Sequence, residues 1–254
     1  MERNLEQYLI QKKEIEYSKK KLKRLIDNAT DITLMKSGGN IGDHLIWEAT
    51  RDLLSNKNYK EIDWRRIKKT SGETAIIAGG GNWCHAYHLW PELLPFVEER
   101  FEHVIIFPSS FDTSLTLVKD ALMKTKALVF AREVESFKQI KNLCDADLAY
   151  DCAFFYNFST YSETRNGNLN AFRTDHDSIN KRIPKDNIDI SIKCKNLHEW
   201  LKMISRHEII HTDRAHVMIA AAMMGKKVYC RDNNYHKVRG IANYSLKGFP
   251  VYFL

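Results

Sequence analysis

Thr74-Ala75-Ile76-Ile77-Ala78-Gly79-Gly80-Gly81-Asn82 is the stretch on which the fold turns. A short run dominated by alanine and isoleucine reads as a buried strand. The three glycines behind it signal a backbone requirement, because ordering glycine is entropically costly. On the amino side, Ile32–Met35 is a second strand, followed by Ser37-Gly38-Gly39-Asn40-Ile41-Gly42-Asp43 and a helix from His44 to Ser55 with Ile46, Ala49 and Leu53 on one face. On the carboxyl side, helices at 91–101, 112–124 and 133–141 alternate with strands at 104–107, 127–131 and 148–150. That alternation predicts a parallel sheet covered by helices on both faces.

Residues 157–187 interrupt the rhythm with Asn, Ser, Thr, Asp and Gly, including the turn Asn166-Gly167-Asn168. A strand at 169–173 lies inside this stretch. Helix 196–206, strand 208–211, helix 213–224, strand 227–230 and a short helix near 237–244 follow. The expected organisation is α/β with two Rossmann-like domains, 1–156 and 157–254, and an anion-binding cleft between the halves. Residues 2–27 form a separate amphipathic helix. Leu5, Tyr8, Leu9, Ile15, Leu22, Leu25 and Ile26 make its apolar stripe, and Lys19, Lys20, Lys21, Lys23 and Arg24 its basic block. The stripe is expected to pack on the body of the protein; the sharper reading is peripheral contact with anionic lipid.

Thirty-nine Lys and Arg against 32 Asp and Glu leave a formal charge of +7 over 254 residues, a balance that favours anionic partners. The five cysteines are scattered, and none forms a CxxC pair, which excludes a disulfide framework and a zinc knuckle. No apolar leader follows Met1, and the run from Val217 to Met224 is too short to span a bilayer. These features predict a cytoplasmic protein, at the inner face of the membrane if residues 2–27 touch lipid. The basic residues are dispersed without an RNA-binding signature, so nucleic acid is not an expected partner.

Six of the eleven glycines (38, 39, 42, 79, 80 and 81) lie in the two strand-to-helix loops. Such loops at carboxyl ends of parallel strands meet where open α/β sheets bind ligands, and a helix start offers N–H groups to an anion. A tight turn capped by Asp43 would explain the first loop without any ligand. Neither loop has the Gly-Lys-Ser/Thr ending of a P-loop or the spacing of a dinucleotide fingerprint. The third piece is Thr212-Asp213-Arg214-Ala215-His216, ahead of an apolar helix capped by Thr212 or Asp213. His216 borders a core or cavity one turn into that helix. Arg214 and His216 can serve one ligand only if the helix starts late or Arg214 curls around its end, since residues two apart on a helix diverge by about 200°. Arg132, Arg173 and the run Asn233-Asn234-Tyr235-His236-Lys237 add polar and basic groups at strand ends.

Taken in order, Gly39-Asn40-Ile41-Gly42-Asp43, Gly79-Gly80-Gly81-Asn82, Phe107-Pro108-Ser109-Ser110, Arg132-Glu133, Asp151, Arg173-Thr174-Asp175, Thr212–His216 and Asp232–Lys237 resemble the polysaccharide pyruvyl transferase family. The chain departs from the family's pattern at Pro108-Ser109-Ser110, where the middle residue is usually Gln, and at Asp213-Arg214-Ala215-His216-Val217, where Leu and Gly flank the histidine. The resemblance implies a two-domain fold similar to GT-B glycosyltransferases. It also implies phosphoenolpyruvate as donor, with no cofactor and no metal, and a sugar acceptor, lipid-linked or free, that receives pyruvate as a cyclic ketal in capsular, exopolysaccharide or cell-wall glycan synthesis. On this reading His216 and Asp43 are catalytic. Gly39, Asn40, Gly42, His44, Gly80, Gly81, Asn82, Arg132, Arg173, Arg214, Asn233 and Lys237 bind substrate. The alternative is a GT-B-type glycosyltransferase using a nucleotide sugar, which commonly holds the ribose with a late glutamate; this chain has none after Glu208. A carbohydrate- or lipid-binding protein that kept the fold without the chemistry is the rival from another class.

Overall fold

The computed structural model describes residues 2–254 apart from 85, 86, 162, 164, 165, 176, 177, 180, 181, 233 and 234; the side chains of 2–4 also lie outside the description. Strands β1 (Ile32–Lys36), β2 (Tyr59–Asp63), β3 (Gly72–Ile77), β4 (Gly80–Trp83), β5 (Phe101–Phe111), β6 (Leu128–Ala131) and β7 (Ala146–Leu148) form one parallel sheet. Strands β8 (Asn168–Ala171), β9 (Ile209–Thr212), β10 (Lys227–Cys230) and β11 (Val251–Phe253) form another. The helices are α1 (Glu2–Asn28), α2 (Ile41–Leu54), α3 (Leu89–Glu98), α4 (Thr116–Lys124), α5 (Val134–Ile140), α6 (Ile190–Lys193), α7 (Leu197–Ser205), α8 (Ala215–Met223) and α9 (Lys237–Ser245). Against the single break expected at 156/157, the residues cluster into two compact units. One holds Met1–Ile15, Gly39–Leu45 and Ala153–Leu254, the other Glu16–Gly38 and Ile46–Cys152.

In the second of these units the strand order is β2-β1-β3-β5-β6-β7, with β4 paired to the carboxyl end of β5. The chain therefore steps one way from β1 to β2 and the other way from β3 onward. This reversal is the topological switch point of doubly wound sheets. Met35, Ile77, Ile106 and Val129 pack from one sheet face against Trp90, Leu94, Val118, Leu122 and Ile140 of α3, α4 and α5. Strands buried on both sides explain the nearly unbroken apolar runs that the sequence shows there. The second half of α1 belongs to this unit. Ser18, Leu22 and Ile26 are buried at a spacing of four, as one face of a helix requires. Ser18 Oγ accepts the Tyr150 N–H at 2.8 Å, and Lys21 reaches Asp147 at 2.5 Å and the Leu148 carbonyl at 3.0 Å. Part of the basic block thus has structural partners.

In the other unit the order is β11-β10-β9-β8, a sheet wound in one direction. Right-handed crossovers that all advance the same way must lie on one face. Accordingly α7 and α9 both pack against α8, which lies on β9 and β10. Leu169, Ala171, Ile210, Val228 and Cys230 are buried on alternate positions of the strands. Helix α8 is buried from Val217 to Ala222, so it is apolar on every side, as a central helix must be. The opposite sheet face carries a register row, Asn170, His211, Tyr229 and Tyr252. The His211 and Tyr229 rings stack at 5.1 Å and those of Tyr229 and Tyr252 lie 5.5 Å apart. Burial, and then the charge of Arg231, lower the pKa of His211.

Candidate active site

The first glycine loop ends in a reciprocal helix cap. Asn40 Oδ1 accepts the Gly42 N–H at 2.8 Å, and Asp43 Oδ2 accepts the Asn40 N–H at 2.8 Å. Two otherwise orphaned donors at the start of α2 are satisfied in this way. Asp43 therefore sits inside the first turn of α2, one turn later than a cap residue would. Its other oxygen, Oδ1, faces His216 Nδ1 at 3.7 Å, which is ion-pair range and longer than a hydrogen bond. Gly42 makes that approach fit: a Cβ there would lie 3.0 Å from His216 Nδ1 and 3.1 Å from His216 Cβ. Side chains far apart in sequence thus meet in one unit, with His216 and Asp43 retaining 12% and 22% side-chain exposure. A carboxylate fixed by a backbone N–H and placed beside an imidazole suits orientation and proton transfer.

The start of α8 is built from ion pairs. The helix begins at Ala215, and Arg214 is its N-cap residue, without a side-chain capping bond; neither Thr212 nor Asp213 holds that position, as the sequence led us to expect. Thr212 Oγ1 instead donates to the Ala171 carbonyl and accepts the Arg214 N–H, while Asp213 Oδ1 accepts the Arg173 N–H. The Arg214 guanidinium forks onto Asp189, Nε to Oδ1 at 2.8 Å and Nη2 to Oδ2 at 2.6 Å, and also reaches Asp175 at 2.8 Å. Arg173 binds Asp175 through Nε and Nη2. Burial opposes the charge on Asp175, yet the Arg173 hydrogen bond and the charges of both arginines outweigh it and hold its carboxyl well below the usual range. Arg173 and Arg214, expected as substrate ligands, are 4% and 5% exposed and engage these carboxylates.

The other unit has its own carboxyl-end cluster. At the switch point, Asn82 Nδ2 donates to Ser37 Oγ at 2.8 Å, so the tails of β1 and β3 are joined by side chains. Gly80, Gly81 and Asn82 form the short strand β4 rather than a loop. Gly79 is forced: a Cβ there would come within 2.4 Å of the Pro108 carbonyl. Gly80 has φ +141°, which only glycine adopts readily. Arg132 is 1% exposed. Its Nε donates to Ser110 Oγ and its Nη1 to Asp151 Oδ2, both at 2.8 Å.

Of the remaining expected residues, Gly39 lies against Asp43, where a Cβ would meet Oδ2 at 2.4 Å. His44 is half-buried on α2. Lys237 is buried at the start of α9, with Nζ 5.3 Å from the Tyr235 ring centre. Asn233 lies outside the described residues. Sequence reasoning passed over Asp189, which binds Arg214 and also accepts the Thr174 N–H and the Ser191 N–H. Its one visible signal was local: an aspartate ahead of Ile190-Ser191 is a natural cap for α6.

Among solved structures, a functionally uncharacterised protein of Klebsiella pneumoniae subsp. pneumoniae is similar at 27% identity and a TM-score of 0.76, covering 93% of this chain and 98% of that one. No curated protein matches. The profile of the polysaccharide pyruvyl transferase family matches residues 40–235. That span holds Asn40, Asp43, Gly80–Asn82, Arg132, Asp189 and His216, and the chain accordingly belongs to the polysaccharide pyruvyl transferase family.

Proposed function

We propose that the protein transfers the pyruvyl unit of phosphoenolpyruvate to two hydroxyls of a sugar as a cyclic ketal and releases phosphate. One hydroxyl adds to the enol carbon while the methylene carbon gains a proton; the second hydroxyl then displaces phosphate from the same carbon, closing the ring. The protons lost by the two hydroxyls balance the one gained at carbon and the one carried off with phosphate. The observation that carries this reading is the approach of His216 to Asp43 over Gly42, within a chain whose family acts on polysaccharide. His216 performs one of the proton transfers, because imidazole works near neutral pH, and Asp43 orients it. Gly39, Asn40, His44 and Lys237, in the unit that holds His216 and Asp43, are the groups we assign to substrate contact. The two parallel-sheet units are read as counterparts of the two domains of a GT-B-like fold.

The test is acceptor-dependent phosphate release from phosphoenolpyruvate, with a panel of galactose- and N-acetylmannosamine-type acceptors. His216→Ala should lower it at least about a hundredfold with the fold intact; retention of more than about a tenth would remove His216 from the chemistry. In thermal shift, phosphoenolpyruvate should stabilise the protein and nucleoside diphosphates should not; the reverse would favour nucleotide-sugar transfer.

The same reading places the enzyme at an anionic membrane surface in the cytoplasm, where a lipid-linked acceptor would be met. No helix among the described residues is long and apolar enough to cross a membrane. Support comes from α1, whose outward side exposes Leu5, Leu9, Ile10 and Tyr17 together with Lys13 and Lys20. Equal sedimentation with anionic and neutral vesicles would refute it.

A further inference from the structure

We propose that Asp189 is the positioning residue that sets the start of α8, and with it the imidazole of His216, against the Gly42–Asp43 turn. The inference deepens the reading of His216 as a proton-transfer group and rests on it. Asp189 is 8% exposed and joins three segments that the sequence keeps apart. Its Oδ2 accepts the Thr174 N–H at 2.7 Å and the Thr174 hydroxyl at 3.2 Å, behind β8. Its Oδ1 accepts the Ser191 N–H at 3.3 Å and caps α6. Both oxygens receive the Arg214 guanidinium in the bidentate geometry that fixes direction as well as distance.

Arg214 is the residue immediately before α8, so its backbone sets where the helix begins and which way its first turn faces. His216 lies in that first turn. The late start at Ala215 lets the Arg214 side chain run back to Asp189 while the His216 ring points at Asp43. Arg214 brings a charge into a buried position, where an unpaired charge is costly. Asp175 offers it a contact through Oδ2 alone, to Nη2, and that oxygen is shared with Arg173 Nη2. Asp189 is the carboxylate that faces the fork squarely. Its loss leaves Arg214 free to turn toward Asp175, and the helix start turns with it.

The experiment compares Asp189→Asn with Leu169→Ala, a cavity variant on β8 that loses comparable stability without touching the ion pairs. Turnover in the phosphate-release assay is read with the 15N signals of the His216 ring. Asp189→Asn should lower kcat roughly thirty- to a hundredfold, as displacement of a catalytic group by about an ångström does, with the donor KM changed less than about threefold and the His216 signals shifted. Leu169→Ala should leave both near the parent values. Should Asp189→Asn not fold, Asp189→Glu keeps the charge and moves the carboxylate by one methylene; it should fold and still shift the His216 signals. If either Asp189 variant matches Leu169→Ala in turnover and ring signals, Asp189 is a stability residue and the proposal is overturned. If the parent protein transfers nothing from phosphoenolpyruvate, the pyruvyl reading fails on its own. The ring signals then still decide whether Asp189 holds His216 in place.

Discussion

The seven-stranded sheet reverses its winding once, between β1 and β3, and the four-stranded sheet never does. The consequences differ at their carboxyl ends. At the reversal, neighbouring strand tails come from distant parts of the chain, and close backbone approach and neutral hydrogen bonds join them: Gly79 under the Pro108 carbonyl, Asn82 to Ser37. In the one-way sheet each strand tail follows its neighbour in sequence. There a buried mesh of Arg173, Arg214, Asp175 and Asp189 holds the ends in place. The reversal point is sensitive to volume, the start of α8 to charge.

Volume gives the largest expected effect. Gly79→Ala would drive a methyl into the Pro108 carbonyl, and backbone cannot rotate away as a side chain can. A loss of about 3 kcal/mol in urea unfolding is expected, and an unchanged midpoint would break the contrast between the two sites. Gly42→Ala is the milder volume test. Its methyl meets the His216 ring at 3.0 Å, so the ring gives by a few tenths of an ångström. Stability should fall by less than about 1 kcal/mol while turnover drops roughly tenfold; equal turnover would separate His216 from the Gly42 turn.

Charge supplies a smaller effect on the edge strand β2 of the seven-stranded sheet, where the ion pairs are half-exposed. The Arg51 hydrogen bond, opposed by burial and aided by Lys36, lowers the Glu61 carboxyl from 4.5 to about 2. A depressed carboxyl stabilises the fold fully above pH 4.5 and loses that contribution as the pH falls toward about 2. Glu61→Gln should therefore be less stable than the parent at pH 7 by about 0.5–1 kcal/mol, with the two converging between pH 4.5 and 2. Curves that stay parallel throughout that window would show that Glu61 contributes no pH-dependent stability.

The sequence made the central strands legible and the edges illegible, for a physical reason. Ile32–Met35 and Ala75–Ile77 are buried on both faces and are apolar except for Thr33, so composition reveals them. The edge strand β2 reads Tyr59-Lys60-Glu61-Ile62-Asp63, because an edge open to water tolerates charge, and β11 follows the turn around Gly248 at the other sheet's edge. β2 escaped a reading based on apolar runs, and β11, apolar but only three residues long, escaped by its length. At the candidate site, His216, Asp43 and the glycine motifs were visible as residue types in strand-to-helix positions. What Arg173, Arg214 and Arg132 do was not, since an arginine that grips a substrate and one that grips a buried carboxylate look alike until Asp189, Asp175 and Asp151 are placed.

One-sided winding has a last consequence, on the sheet itself. Tyr252 stands on the face away from the crossover helices and is 48% exposed, whereas Val228, on the face that meets them, is fully buried. Removing the half-exposed Tyr252 ring takes away its contacts with Tyr229 and Lys227, so Tyr252→Ser should cost less than about 1 kcal/mol. Val228→Ala opens space against a central helix that is apolar on every side and should cost about 2 kcal/mol. Chemical unfolding of the pair measures how one-sided the four-stranded core is. Similar losses in both would mean that the His211–Tyr229–Tyr252 row bears load as the helix face does, and the distinction between the two sheets would then rest on strand order alone.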